Sequence, residues 1–169
     1  MLNQPQHQMK PAESTSELAA IETLAKHIWQ QHYTPIIGQA QVDYMLDKFQ
    51  SQQAMTQQIE NEGYQYYSIY RQSTLVGYFA FRIDGNELFL SKLYVSDSER
   101  GQGLARQALT FMKSIAQEHG LPHITLTVNK YNDVALSAYT ALGFENTGPV
   151  VADIGNGYIM DDYRLRLAL

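Results

Sequence analysis

The stretch Arg100-Gly101-Gln102-Gly103-Leu104-Ala105 carries the clearest chemistry in the chain. It follows a β-favouring run, Leu88 to Val95, and a polar turn, Ser96 to Glu99. It precedes a helical run in which Leu104, Ala108, Phe111, Met112, Ile115 and His119 recur at three- and four-residue steps. A glycine-rich turn between strand and helix leaves backbone N–H groups unpaired at the positive end of the helix. They are bare of side chains, so phosphate oxygens can sit on them. The P-loop pattern needs Gly-Lys-Ser/Thr, and here Leu104 and Ala105 follow Gly103. The dinucleotide fingerprint needs a third glycine where Arg106 stands. What remains is Arg-x-x-Gly-x-Ala. From these six residues alone, a tight turn with glycines for geometry only is the alternative.

A second cluster follows. Asn132 and Tyr139 are seven residues apart, two helical turns, so both lie on one face of a helix. Taken singly, Asn132 reads as an ordinary N-cap and Tyr139 as a core aromatic. Composition narrows the chemistry further. The 169 residues include no cysteine, which excludes disulfides, thiolate metal sites and any acyl intermediate on a cysteine of this chain. The histidines show no metal spacing, so no metal is expected. A formal net charge of -5 argues against nucleic-acid binding by bulk electrostatics and is compatible with a cationic substrate. No apolar run approaches the ~20 residues of a membrane span. The N-terminal stretch lacks the apolar core of a signal peptide, so a cytoplasmic location is expected.

The elements that must position these clusters are readable in order. Residues Met1 to about Glu13 either fray or form a short strand around His7 to Ala12. Ser14 with Glu17 makes a capping box, and Leu18, Ile21, Leu24, Ala25, Ile28 and Trp29 mark one face of a helix ending near His32. Thr34 to Gly38 breaks the pattern. Further helices are expected over Gln39 to Gln50 and Gln52 to Asn61, the second closed by Gly63. Tyr64 to Tyr70, Leu75 to Arg82 and Leu88 to Val95 read as an antiparallel meander. The helix after the glycine turn then leads by a parallel crossover to a strand over His123 to Val128. After Asn132 comes a helix with Val134, Ala135, Ala138, Tyr139 and Leu142 on one face, closed by Gly143. Two strands, Phe144 to Ala152 and Gly157 to Leu167, pair around Gly155-Asn156-Gly157. No domain boundary is visible, so residues 1–169 are expected to be a single domain.

Together the two clusters closely resemble the signature of the GNAT superfamily of N-acetyltransferases. Arg100-x-x-Gly103-x-Ala105 matches the turn that binds the pyrophosphate of acetyl-coenzyme A. Asn132-x-x-Ala135, then Tyr139, then Gly143-Phe144 matches the second cluster. The resemblance covers about Tyr64 to Leu169 well and the first helices only in kind. It implies an α+β fold: a mostly antiparallel, twisted sheet of six or seven strands, a splayed parallel pair at its centre, and about four helices. It implies that Leu93, Tyr94 and Val95 line the coenzyme, with the Leu93 and Val95 amides on the pantetheine arm and acetyl carbonyl. Arg100, Gly101, Gln102, Gly103, Leu104, Ala105 and Arg106 would hold the pyrophosphate, and Asn132 would also contact the coenzyme. Tyr139 would be the general acid at the coenzyme sulfur. The base stays open between Glu87, Asp161, Asp162 and a water chain. Trp29 and Tyr33 would line the acceptor site. The tail from Asp153 to Tyr163 is similar to a bacterial subgroup that includes polyamine N-acetyltransferases, which implies a small amine as acceptor, and a homodimer is expected. A protein acetyltransferase, an acyl-coenzyme A sensor and a binder of another phosphorylated ligand are the rivals.

Overall fold

Aromatic and β-branched runs become strands, and capped amphipathic runs become helices, in a computed structural model that describes residues 7–169. The elements are β1 (His7–Pro11), α1 (Thr15–His32), α2 (Thr34–Ile37), α3 (Gln39–Phe49), α4 (Gln52–Glu62), β2 (Gln65–Arg71), β3 (Thr74–Asp84) and β4 (Glu87–Val95). After a 3-10 turn (Asp97–Glu99) come α5 (Leu104–Glu118), β5 (His123–Asn129), α6 (Asp133–Ala141), β6 (Glu145–Gly155) and β7 (Tyr158–Ala168). The strands hydrogen-bond in the order β1-β2-β3-β4-β5-β7-β6. This is the expected α+β fold, with one parallel pair, β4 and β5, at the centre of an otherwise antiparallel sheet. The expected first strand is β1; the residues before His7 lie outside those described. Among the described residues no helix is long and apolar enough to cross a membrane.

The chain folds as two compact units. One is the chain up to Arg82 with Lys92–Ala108, and the other is Ile83–Ser91 with Leu109–Leu169. In the first, α1 opens with the capping box. Glu17 N–H donates to Ser14 Oγ at 3.2 Å, and Ser14 N–H donates to Glu17 Oε1 at 3.0 Å. Leu18, Ile21, Ala25, Ile28 and Trp29 of α1 pack into a core with Met55 of α4, Tyr66 and Ile69 of β2 and Tyr78 to Phe81 of β3. Thr34 to Gly38, expected as a break, forms the single helical turn α2, because Pro35 is tolerated in a first turn and Gly38 ends it at φ 85°. The β2–β3 register carries a bulge. Ile69 faces Gly77 and Tyr70 faces Leu75, which leaves Val76 as the extra residue. Beside it β3 and β4 approach closely: a Cβ on Gly77 would lie 2.7 Å from the Tyr94 carbonyl oxygen.

In the second unit, β4 and β5 pair at Glu87↔His123, Leu88↔Ile124 and Phe89↔Thr125. The pairing ends there, although β5 runs on to Asn129. β5 pairs along its whole length with β7, and β7 with the edge strand β6. The β6–β7 hairpin turns at Asn156 and Gly157, both with positive φ, the geometry of a twisted two-residue turn. Two expectations are corrected. His119 lies beyond α5 and is exposed, its Nδ1 2.9 Å from the Ile115 carbonyl oxygen. No residue of α6 is fully buried; Val134 is 65% exposed and Ala138 is exposed, while Ala135, Leu136, Tyr139 and the C-cap Leu142 are half-buried along one face.

Gly77→Ala forces the Tyr94 carbonyl or the Ile69 side chain to move. The expected cost is about 1–3 kcal/mol of folding stability, the usual range for overpacking. Urea unfolding measures it, and an unchanged midpoint would show that β3 and β4 have room to spare.

Candidate functional site

The glycine turn is open. Gly101 has φ 80° and Gly103 φ 75°, left-handed values that side-chain-bearing residues resist. A Cβ at either would meet nothing within 4 Å. The glycines are therefore required by backbone conformation and not by crowding from the protein itself. Residues 101–103 are exposed. The first α5 bond runs from Gln107 N–H to the Gly103 carbonyl at 3.0 Å, so the amides of Leu104, Ala105 and Arg106 precede the helix's own ladder. They form a cluster of donors at the positive helix end, the arrangement that holds phosphate oxygens. Leu104 itself is buried and anchors the helix, Ala105 is half-buried, and Gln102 and Arg106 are exposed. Arg100 is exposed and pairs with Asp97 at 3.1 Å.

Before that turn, Leu88, Leu90 and Lys92 are buried in alternation along β4, and Leu93, Tyr94 and Val95 are half-buried. The Tyr94 ring lies 5.3 Å from Tyr78, 5.6 Å from Trp29 and 6.3 Å from Tyr33. Trp29 and Tyr33 are 4.4 Å apart. Trp29 is only 3% exposed, in line with core packing, the alternative reading of this residue. Tyr33 remains half-buried. Lys92 is enclosed. Its Nζ donates to the Phe49 carbonyl at the end of α3, to Tyr66 Oη at 2.5 Å and to Gln58 Oε1 at 3.2 Å. Burial lowers its pKa to about 7, against a small opposing pull from Glu62.

In the second unit, Asn132 is the N-cap of α6, its Oδ1 accepting from Ala135 N–H at 3.3 Å, and it is 3% exposed. The capping reading of this residue is thus realised. Tyr139 is half-buried and meets the Phe144 ring edge-on at 5.3 Å. The turn before α6 is clipped to β7: Lys130 N–H donates to the Asp161 carbonyl at 3.0 Å and Lys130 Nζ pairs with Asp161 Oδ1 at 2.8 Å.

The three carboxylates suggested as bases separate cleanly. Glu87 is taken by Arg164, whose Nη2 donates to both carboxylate oxygens at 2.9 and 2.8 Å, and by the Thr125 hydroxyl. Asp161 is taken by Lys130. Asp162 has no cation paired with it among the described residues. Burial pushes its carboxyl up to about 6; the Thr127 hydrogen bond opposes the shift and the Asp161 charge adds to it.

A family model described as the acetyltransferase (GNAT) domain matches residues 33–166. The chain belongs to the GNAT family. It is 20% identical over 152 residues to spermidine N(1)-acetyltransferase of Thermoplasma acidophilum, covering 88% of this chain and 92% of that one. It is 30% identical over 73 residues to N-acetyltransferase family 8 member 2 of the rat, Rattus norvegicus, covering 43% of this chain and 32% of the relative. The chain thus spans only about a third of the length of the rat relatives it matches. Its fold is similar to the crystal structure of the PaiA N-acetyltransferase from Thermoplasma acidophilum in complex with coenzyme A. The TM-score is 0.79 at 18% identity, covering 96% and 99% of the two chains.

Two residues that hold this GNAT chain's turn and strand escape a reading of the sequence: Glu99, buried at the root of the glycine turn, and Lys92. The signal for Lys92 was its register. It continues the buried alternation of Leu88 and Leu90, so a charged side chain there had to find partners inside. Glu99, in a polar turn, gave no such signal.

Lys92 leaves a pH signature. An unfolded lysine titrates near 10.5 and the folded one near 7, so between these values the unfolded chain binds the extra proton. Stability therefore rises with pH through that window, and the full penalty applies below it. Lys92→Met is expected to flatten the rise by on the order of 2 kcal/mol between about pH 7 and pH 9. Urea unfolding at both pH values checks this, and an equal rise in the variant would place the proton elsewhere.

Proposed function

We propose that this protein is an acetyl-CoA-dependent N-acetyltransferase acting on a small primary amine, a polyamine first among them. The observation that carries the reading is the open turn from Arg100 to Ala105. It combines two left-handed glycines, exposed residues and helix-start amides in the place where the family signature matches. The coenzyme A in the similar PaiA structure supports it. The family model spans parts of both compact units, which supports treating residues 1–169 as one acetyltransferase domain.

In this proposal the turn amides and Arg106 hold the diphosphate, Leu93 to Val95 hold the pantetheine arm and acetyl carbonyl, and Asn132 adds to coenzyme binding. Bound acetyl-CoA supplies an activated thioester. With no cysteine in the chain, the amine attacks the thioester carbonyl directly, which makes positioning the main task of the protein. A new C–N bond forms and the C–S bond breaks. Tyr139 gives its proton to the departing sulfur. Asp162 takes the amine proton: its carboxyl, near 6, is ionised at neutral pH yet basic enough to work there. Glu87 and Asp161, both held by cations, fit charge placement better than proton transfer.

The polyamine reading is supported by the spermidine acetyltransferase relative and by the net charge of -5. Tyr33 is kept as an acceptor-side residue. A cytoplasmic location and a homodimer complete the proposal. β6 is the sheet edge and exposes Val151, a surface on which a second copy can pair. Light scattering on the purified chain decides the dimer, and a monomeric mass removes it.

Purified protein with acetyl-CoA and a panel of spermidine, aminoglycosides, amino acids and peptides tests the activity by thiol release. Turnover on peptides alone would make it a protein acetyltransferase. Saturable coenzyme binding without any turnover would make it a sensor. Tyr139→Phe is expected to lower kcat about 100-fold with coenzyme affinity nearly unchanged. Asp162→Asn is expected to abolish the acidic limb of the kcat/KM profile near pH 6. A full rate in the first, or an intact limb in the second, removes that residue from its role.

A further inference from the structure

Glu99 immediately precedes the glycine turn, in a segment polar enough to be read as solvated surface. Instead it is 2% exposed. An ionised carboxylate buried alone costs several kcal/mol, so its partners are part of its meaning. Each oxygen has one. His7 Nε2 lies 2.9 Å from Oε2, and Arg71 Nε donates to Oε1 at 2.5 Å. The His7 hydrogen bond and then the Arg71 guanidinium hold the carboxyl below its usual range, so it is charged at neutral pH.

The two donors are not independent. His7 and Arg71 face each other directly in the β1–β2 register, so one cross-strand pair supplies both. The other end of the 3-10 turn is hung on β3 by the bond from Ser96 N–H to the Val76 carbonyl at 2.8 Å. Glu99 N–H then closes on the Ser96 carbonyl at 3.0 Å. Arg100 N–H closes on the Asp97 carbonyl at 3.3 Å, and α5 is entered by the bond from Gln107 N–H to the Gly103 carbonyl at 3.0 Å. Between them lies an exposed segment with two left-handed glycines, the most conformationally free backbone a chain can have. Two anchored ends define its path. An apolar anchor would be equally stabilising but not directional, whereas two hydrogen bonds to two oxygens fix a carboxylate in orientation.

We propose that Glu99 is a positioning residue for coenzyme binding: clasped by His7 and Arg71, it fixes the root of the Arg100–Ala105 turn and holds that turn's backbone donors in place for the diphosphate. This rests on the acetyl-CoA reading given above. It makes the short first strand, remote in sequence from every signature residue, part of the coenzyme site.

The test compares acetyl-CoA with S-acetyl-pantetheine, which carries the same thioester but no diphosphate. Glu99→Ala is expected to raise the KM for acetyl-CoA and the Kd for coenzyme A about tenfold or more, as small misplacements of binding groups do. Its kcat at saturation, and kcat/KM for S-acetyl-pantetheine, should match the wild type. Gly103→Glu, which puts bulk and negative charge into the turn, serves as the control for a lost diphosphate cradle. His7→Gln, whose amide can donate from about the Nε2 position, should retain affinity that His7→Leu loses. Circular dichroism and thermal melts identify folded variants. If Glu99→Ala does not fold, His7→Leu and Arg71→Met carry the comparison. Folded variants with unchanged affinity for coenzyme A overturn the inference, and so does an equal loss with S-acetyl-pantetheine, which would mark general damage. If the wild-type protein itself binds no coenzyme A, the acetyl-CoA reading falls and the clasp's role falls with it.

Discussion

Backbone pairing between β4 and β5 lasts for three residues and then stops, and much of the structure follows from that. A central parallel strand normally spends its amides and carbonyls on both neighbours. Beyond Phe89, β4 has no register with β5, so its last residues depend on the other side for their position. There the supports are dense. Gly77 allows β3 to approach the Tyr94 carbonyl closely, Tyr94 packs among Tyr78, Trp29 and Tyr33, and Lys92 ties the strand to the end of α3, to α4 and to β2. A strand end held this firmly from one side does not depend on a second neighbour to keep from fraying.

Lys92, Glu99 and Asp162 are all buried, and the chain resolves each differently. Lys92 donates to three neutral oxygens, and burial lowers its pKa because the Glu62 charge offsets little of the lost hydration. Glu99 has cationic and imidazole donors, and its pKa falls because those donors favour the carboxylate. Burial raises the Asp162 pKa, the Thr127 hydroxyl opposes the rise and the Asp161 charge adds to it. Burial, which all three share, pushes each toward its neutral form and decides the sign for Lys92 and Asp162; only at Glu99 do the partners overcome it. Glu99 is consequently a fixed structural charge, while Asp162 is the carboxylate whose proton is mobile near neutrality.

Much of this was legible in the residues. The capping box at Ser14 and Glu17, the glycine that ends α4, the Asn156-Gly157 hairpin and the parallel crossover all rest on local chemistry that tertiary packing did not override. The glycine turn was legible for the same reason, since a φ near 80° has few alternatives to glycine. Non-local pairing was not legible. Nothing in the neighbourhood of Glu99 announces that a histidine 92 positions away will meet it, because that contact is set by where β1 docks on β2. The α6 stripe was misread for a related reason. Periodicity identifies a face but not whether anything lies against it, and here no residue of that helix is fully buried.

That last point bears on how Tyr139 is held. A helix of nine residues whose inner face is only half-buried gains little of its position from core packing. Polar clips do that work at its start. Asn132 caps it, Asn129 accepts from Tyr131 N–H at 2.9 Å, and Lys130 binds both the carbonyl and the carboxylate of Asp161 on β7. At its end, Phe144 N–H donates to the Tyr139 carbonyl at 3.0 Å while the Phe144 ring meets the phenol ring edge-on. The tyrosine is therefore located by short-range directional bonds at both ends of the helix as well as by its half-buried face. Directional bonds fix orientation within narrow angles, which is what the proposed proton donor requires. The glycine turn follows the same rule, with a clasp at one end and a helix ladder at the other. In both places the protein fixes a short segment by its two ends.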